Sequence, residues 1–197
     1  MKRVLLIALT MLVVTPALMA KKDPPVPAAP AVEEIHWITS IEELQLKMEK
    51  APKKVLIDMY TGWCGWCKKM DADTYGNQSL VKYVNNNFYA VKFDAERKDT
   101  IRFQGKEYYF APEYKANGFA IELMKGQMSY PQTVFMVENF QSPTPIPGYR
   151  TVQEMEIFLT YFGDNAYRRQ PFDQYSKNYV SRWSKAQPAN TGAPAGH

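Results

Sequence analysis

The chain has 197 residues, 46% of them hydrophobic, with a formal charge of +4 and two cysteines. A chain of this size and apolar content can fold on its own core, so two cysteines are not the staple framework of a small disulfide-bound protein. The charge is too mild to imply nucleic acid, and a four-ligand zinc site is short of donors, because only His36 and His197 could join the two sulfurs.

Lys2-Arg3, the apolar run Val4 to Val14, the Thr15-Pro16 break and the small Ala20 read as a secretory signal peptide over residues 1–20, cleaved before Lys21. An uncleaved membrane anchor is the competing reading, since little polarity intervenes between Val4 and Ala20. Cleavage would remove Lys2 and Arg3 and no acid, lowering the charge from +4 to +2. Residues 21–34, rich in Pro and Ala, read as an extended linker.

A domain over residues 35–163 follows. Ile35 to Ile38 reads as a first strand. Ser40-x-x-Glu43 is a capping box opening a helix with Ile41, Leu44 and Met48 on one face. Lys54 to Tyr60 is the second strand, and a helix from Cys64 breaks near Tyr75-Gly76-Asn77 and resumes over Ser79 to Asn86. Phe88 to Asp94, Gln132 to Val137 and Pro145 to Tyr149 read as three more strands. Between the first two of these lies an insertion, residues 97–128. It reads as a hairpin turning at Gln104-Gly105-Lys106, then a helix around Glu113 to Lys125. Thr151-x-x-Glu154 caps a last domain helix, with Met155, Phe158, Leu159 and Phe162 at i, i+3, i+4 and i+7. In a C-terminal extension, 164–186, Phe172, Tyr175, Tyr179 and Trp183 keep helical spacing behind Pro171, a stripe suited to packing on the domain. The polar tail, 187–197, should be disordered.

The chemistry concentrates in Trp63-Cys64-Gly65-Trp66-Cys67-Lys68, directly after the second strand. Two cysteines spaced C-x-x-C at a strand-to-helix junction suit a reversible disulfide. A sulfur in the first turn of a helix meets unpaired amides and the positive end of the helix dipole, which favour its thiolate. A free thiol of pKa ~8.5 is only about 3% ionised at neutral pH, so this matters for rate. A purely structural role is weak, because so short a ring removes little unfolded-state entropy.

Around this motif the chain resembles the thioredoxin family. Val55 to Lys68 (VLIDMYTGWCGWCK) matches the family's second strand, active-site turn and helix; Asp58 matches the buried acid, and Lys92 the lysine on the neighbouring strand. Tyr130-Pro131, opening the fourth strand, resembles the cis-proline that faces the disulfide, and Gly148 matches a glycine near that face. The resemblance covers residues 35 to 163 and implies a thioredoxin fold: an α/β domain with a central mixed sheet flanked by helices, here with the insertion before the cis-Pro strand and an extra C-terminal helix. The W-C-G-W-C-K run is most similar to secreted bacterial thioredoxin-related proteins, including the periplasmic reducing domain of a transmembrane disulfide reductase. Gly65-Trp66 replaces the familiar Gly-Pro, and since that dipeptide helps set the reduction potential, redox direction stays open.

The resemblance implies that Cys64 attacks, Cys67 resolves and Asp58 takes the Cys67 proton, with Lys92 supporting Asp58. Trp63, Gly65, Trp66, Tyr130 and Pro131 would meet the substrate. The implied activity is that of an exported, periplasmic protein-disulfide reductase. It would act on protein or peptide disulfides as a monomer, with no metal or cofactor beyond its own disulfide, and draw electrons from a membrane thiol donor. A disulfide oxidase or isomerase, and a non-catalytic client-binding module, are the alternatives. Tyr108, Tyr109 and Tyr114 of the insertion either rim a docking surface or pack into the insertion itself.

Overall fold

The computed structural model describes residues 32–183. The expected signal peptide, most of the linker, the last residues of the extension and the tail lie outside the described residues. The elements, in order, are β1 (Trp37–Ile38), α1 (Ile41–Lys50), β2 (Lys54–Tyr60), α2 (Gly65–Asp73), α3 (Gln78–Asn87) and β3 (Phe88–Asp94). β4 (Ile101–Phe103), β5 (Lys106–Tyr108), β6 (Phe110–Ala111), β7 (Ala116–Asn117) and α4 (Gly118–Leu123) follow. The chain then forms β8 (Gln132–Val137), β9 (Gln141–Pro147), α5 (Val152–Gly163) and α6 (Phe172–Lys177).

Five strands form one mixed sheet in the order β1-β3-β2-β8-β9. β3 runs parallel to β1 and β2, while β8 is antiparallel to both β2 and β9. With helices on both faces this is a thioredoxin fold.

The two-residue period of a strand decides what each face carries. Val55, Ile57 and Met59 of β2 join Val91, Phe93, Val134 and Met136 on one face, beneath α1 and the insertion. Leu56, Ala90 and Phe135 point to the other, beneath α2, α3 and α5. Asp58 and Lys92 alternate in step with this second set and stand directly opposite each other across β2 and β3.

The insertion is part of the first core rather than an excursion from it. Phe119 is fully buried, with ring centroids 5.1 Å from Phe93, 5.1 Å from Phe103 and 5.5 Å from Tyr108. Truncating such a side chain to alanine costs about 3–5 kcal/mol. The hairpin turns on two residues, Gln104 and Gly105, with φ 49° and 77°. That is the conformation that matches the twist of the flanking strands, and it leaves Lys106 in β5 rather than in the turn. The helix expected over 113–125 is shorter, because residues 110–117 make a second small hairpin, β6 with β7. Buried Asn117 then sets the helix start: its Oδ1 accepts the Phe119 amide at 3.0 Å, and its Nδ2 donates to the Asp99 carbonyl at 3.0 Å.

Three other boundaries move. β1 is confined to Trp37–Ile38, and β9 runs from Gln141 to Pro147, earlier than the expected Pro145 to Tyr149, carrying Pro143, Pro145 and Pro147 along the sheet edge. The C-terminal helix stops at Lys177. Its stripe packs on the domain, Phe172 stacking on Phe158 at 4.5 Å and Tyr175 meeting Tyr161 at 5.3 Å. Beyond it the chain is held by Glu156, a fully buried carboxylate on α5. Glu156 accepts from the Tyr179 hydroxyl (2.8 Å), the Ser181 hydroxyl (2.6 Å) and the amides of Arg182 (2.6 Å) and Trp183 (3.2 Å).

Candidate active site

β2 ends at Tyr60, and a tight turn delivers Cys64 to the start of α2, where the Cys64 amide donates to the Thr61 carbonyl at 3.1 Å. Cys64 is the N-cap: its backbone is extended (φ −73°, ψ 100°), and its sulfur accepts the Cys67 amide at 3.0 Å. This is the position at which free amides and the helix dipole favour negative charge on sulfur, and no acidic side chain in the first turn opposes them. Cys64 and Cys67 are joined as a disulfide, S–S 2.08 Å, and both residues are buried.

Two Trp-Tyr pairs flank the sulfurs. Trp63, 68% exposed, meets Tyr130 edge-on at 6.1 Å and donates from Nε1 to Glu96 Oε1 at 3.0 Å. Trp66, 60% exposed, lies tilted against Tyr149 at 5.4 Å. Between them Gly65 leaves open space where a side chain would stand. The Tyr130-Pro131 peptide bond is cis, Pro131 is buried, and its carbonyl accepts the Gly148 amide at 2.8 Å. Gly148 has φ +88°, a conformation a side chain would strain. Burial, reinforced by the nearby charges of Glu96 and Asp94, pushes the Tyr130 phenol up to about 12, so it faces the site neutral.

Beneath α2 lies a polar layer. Asp58 is 1% exposed, and burial lifts its carboxyl from the ordinary 3.8 to about 6 against the opposing pull of Lys92. Lys92 Nζ donates to Asp58 Oδ2 at 2.5 Å and also pairs with Asp71 of α2. Asp58 Oδ1 has no hydrogen-bond partner in the structure. The ammonium is enclosed by the rings of Trp37, Tyr60 and Tyr75, at 5.2, 5.1 and 5.8 Å. Burial works against its charge, but Asp58 and Asp71 outweigh that and hold it protonated above its ordinary range. Thr133, opposite Asp58 on β8, shares a hydrogen bond of 3.2 Å with the buried Tyr75 hydroxyl. Cys67 and Met70 are buried on α2, and Asp71, one turn after Cys67, stands at the edge of that side, where it reaches Lys92 while remaining partly exposed.

The structure therefore brings Cys64, Cys67, Trp63, Gly65, Trp66, Tyr130 and Pro131 together at one end of α2, with Asp58 and Lys92 under that helix. Tyr108 does not reach a rim: it is 7% exposed and packs in the first core, a correction to the docking reading, whereas Tyr109 and Tyr114 are exposed. Sequence reasoning missed Asp71, Tyr75, Glu96 and Tyr149. Asp71, one turn beyond Cys67, and Tyr149, next to Gly148, were within reach of spacing. Glu96 meets Trp63 only through the tertiary fold.

A family model described as "Thioredox_DsbH: Protein of unknown function, DUF255" matches residues 18–158. An uncharacterized protein of Caenorhabditis elegans is 27% identical over 67 residues, 34% of this chain, and the match spans only 9% of that protein. Among solved structures, the chain is similar to a DsbH oxidoreductase (14% identity, TM-score 0.44, 66% of this chain and 83% of that one). It is also similar to a thioredoxin-fold protein from Helicobacter pylori (17% identity, TM-score 0.46, 64% and 78%). A thioredoxin from Thermus thermophilus is a further neighbour (16% identity, TM-score 0.46, 64% and 85%).

Proposed function

The chain belongs to the Thioredox_DsbH family, and on that premise we propose that it is an exported thiol-disulfide oxidoreductase that reduces protein disulfides. One observation carries the reading: a disulfide whose outer sulfur caps a helix start, above a buried carboxylate with one oxygen unpaired.

In the reduced protein the Cys64 thiolate attacks one sulfur of a client disulfide, forming a mixed disulfide and expelling the other client sulfur as a thiolate. Cys67 passes its proton to Asp58, and its thiolate attacks Cys64 Sγ. The Cys64–client bond breaks, the Cys64–Cys67 bond forms, and the client leaves with both sulfurs reduced. Two electrons have moved to the client, and a dithiol donor must return them; for a protein acting in the periplasm that donor is a membrane thiol protein. Trp63 with Tyr130 and Trp66 with Tyr149 give an extended client segment apolar surface on both sides of the sulfurs. The cis Tyr130-Pro131 bond lies just ahead of β8, and the Tyr130 backbone there, outside the paired strand, can pair with that segment.

Insulin reduction by wild type and Cys64→Ser tests the proposal. Wild type should precipitate insulin chains in the presence of dithiol and Cys64→Ser should not. Two equally inactive proteins would favour a client-binding module instead. Equilibration with glutathione buffers then decides between reductase and oxidase, because the potential orders the protein against its clients.

A further inference from the structure

The polar layer holds an acid that the mechanism above does not use. Asp71 shares Lys92 with Asp58, so one ammonium faces two carboxylates, one buried and one on α2 at the surface. A cavity of about 450 Å³ reaches this group from outside, lined by Trp37, Asp71, Tyr75 and Lys92 together with Glu33 and Gln78. Asp71 lies seven residues beyond Cys64, roughly 10 Å along a helix, so this opening is set apart from the disulfide and its aromatic rim.

The consequence follows from counting donors. An ammonium has three, and one buried carboxylate with no competitor would draw them toward both of its oxygens. Here Asp71 takes a share, three rings close around the rest, and Asp58 Oδ1 is left with no partner. We propose that Asp71 is a positioning residue for the resolving step: it holds Lys92 away from one oxygen of Asp58 and keeps that oxygen open to the Cys67 proton. The inference rests on the redox reading above. The groups that act on Asp58 are Lys92 from β3, Asp71 from α2 and Tyr75 from the turn after α2, with the neutral Thr133 hydroxyl opposite it on β8. Of these side chains only Asp71 is an acid, and its charge favours the protonated Asp58; the Cys64 thiolate of the reduced protein is common to all the variants compared.

The experiment compares full-length wild type with Asp71→Asn, Asp71→Glu and Asp58→Asn. The Asp58 carboxyl carbon is followed by NMR across the acidic and neutral range in the reduced protein. Single-turnover release of a small thiol from a mixed disulfide on Cys64 is measured over the same range. In Asp71→Asn the Asp58 midpoint should fall by roughly half a pH unit, the acid limb of release should move with it, and the plateau should drop about twofold, as a weaker base predicts. Asp71→Glu should restore the wild-type profile, and Asp58→Asn should lack the limb. An Asp58 midpoint that stays put in Asp71→Asn overturns the proposal, as does a midpoint that moves while the limb does not. If the wild type releases no thiol and reduces no insulin, the redox reading itself fails. The NMR midpoint still reports whether Asp71 governs Asp58.

Discussion

Among the described residues two carboxylates are buried, and the fold treats them in opposite ways. Glu156 accepts four hydrogen bonds, two from backbone amides and two from hydroxyls, and ties residues 179–183 to α5. Asp58 accepts from one ammonium and has an oxygen with no partner. A saturated buried carboxylate is a fastener, whereas one left incomplete is costly to ionise and for that reason useful as a base. Both stand on the side of the sheet that α2, α3 and α5 cover. The opposite side, under α1 and the insertion, is built from apolar and aromatic side chains.

Breaking the fastener should give the largest effect. Glu156→Ala strands two amides and two hydroxyls and should lower stability by about 3–5 kcal/mol. Melting temperature should fall by roughly ten degrees, and the Arg182 and Trp183 amides should lose protection from hydrogen exchange. A loss below about 1 kcal/mol would remove the contrast.

Asp58→Asn should act in the other direction. The folded carboxyl titrates near 6 against 3.8 when exposed, so the folded state binds the proton more tightly. Its stabilising contribution is whole below about pH 4, fades between about 4 and 6, and is gone above. At mildly alkaline pH the amide should therefore stabilise the protein by up to about 3 kcal/mol, with no gain under acid conditions. Urea unfolding of both proteins at the two pH values checks the sign. The same substitution should slow resolution of the mixed disulfide about a hundredfold while sparing its formation, read by stopped-flow with a chromogenic disulfide. The smallest effect belongs to the rim: Trp66→Ala should raise KM for a protein client several-fold and leave kcat on a small disulfide unchanged.

Much of this was legible in the chain, wherever a local pattern meets a local rule. β3 and β8 occupy the residues their apolar runs predict, and Thr151 with Glu154 forms the full reciprocal cap. At Ser40 the pattern half held: the Ser40 hydroxyl caps the Glu43 amide but pairs with Glu42 rather than Glu43. What stayed hidden depends on partners far apart in sequence. Asn117 ends its hairpin by bonding to the carbonyls of Ala95 and Asp99, and no window around 113–125 contains them. Glu156 reads as one more polar residue on α5 until the chain beyond α6 folds back over it. At the site, the cysteines were readable from motif and spacing, and Asp58 only through the family resemblance. The division of Lys92 between two acids required the fold.

The proline run on the last strand has a consequence for the company this protein keeps. Pro145 stands opposite Val134 and Pro147 opposite Gln132, positions that cannot donate to β8, so Ile146 and Thr144 carry that ladder. The amides that would have pointed outward are the missing ones, and a stranger's strand arriving at this border finds carbonyls with nothing to give back. The far border of the sheet is only Trp37–Ile38 long. Growth by lateral accretion, the usual hazard of an open sheet, is closed off at one flank by chemistry and at the other by brevity.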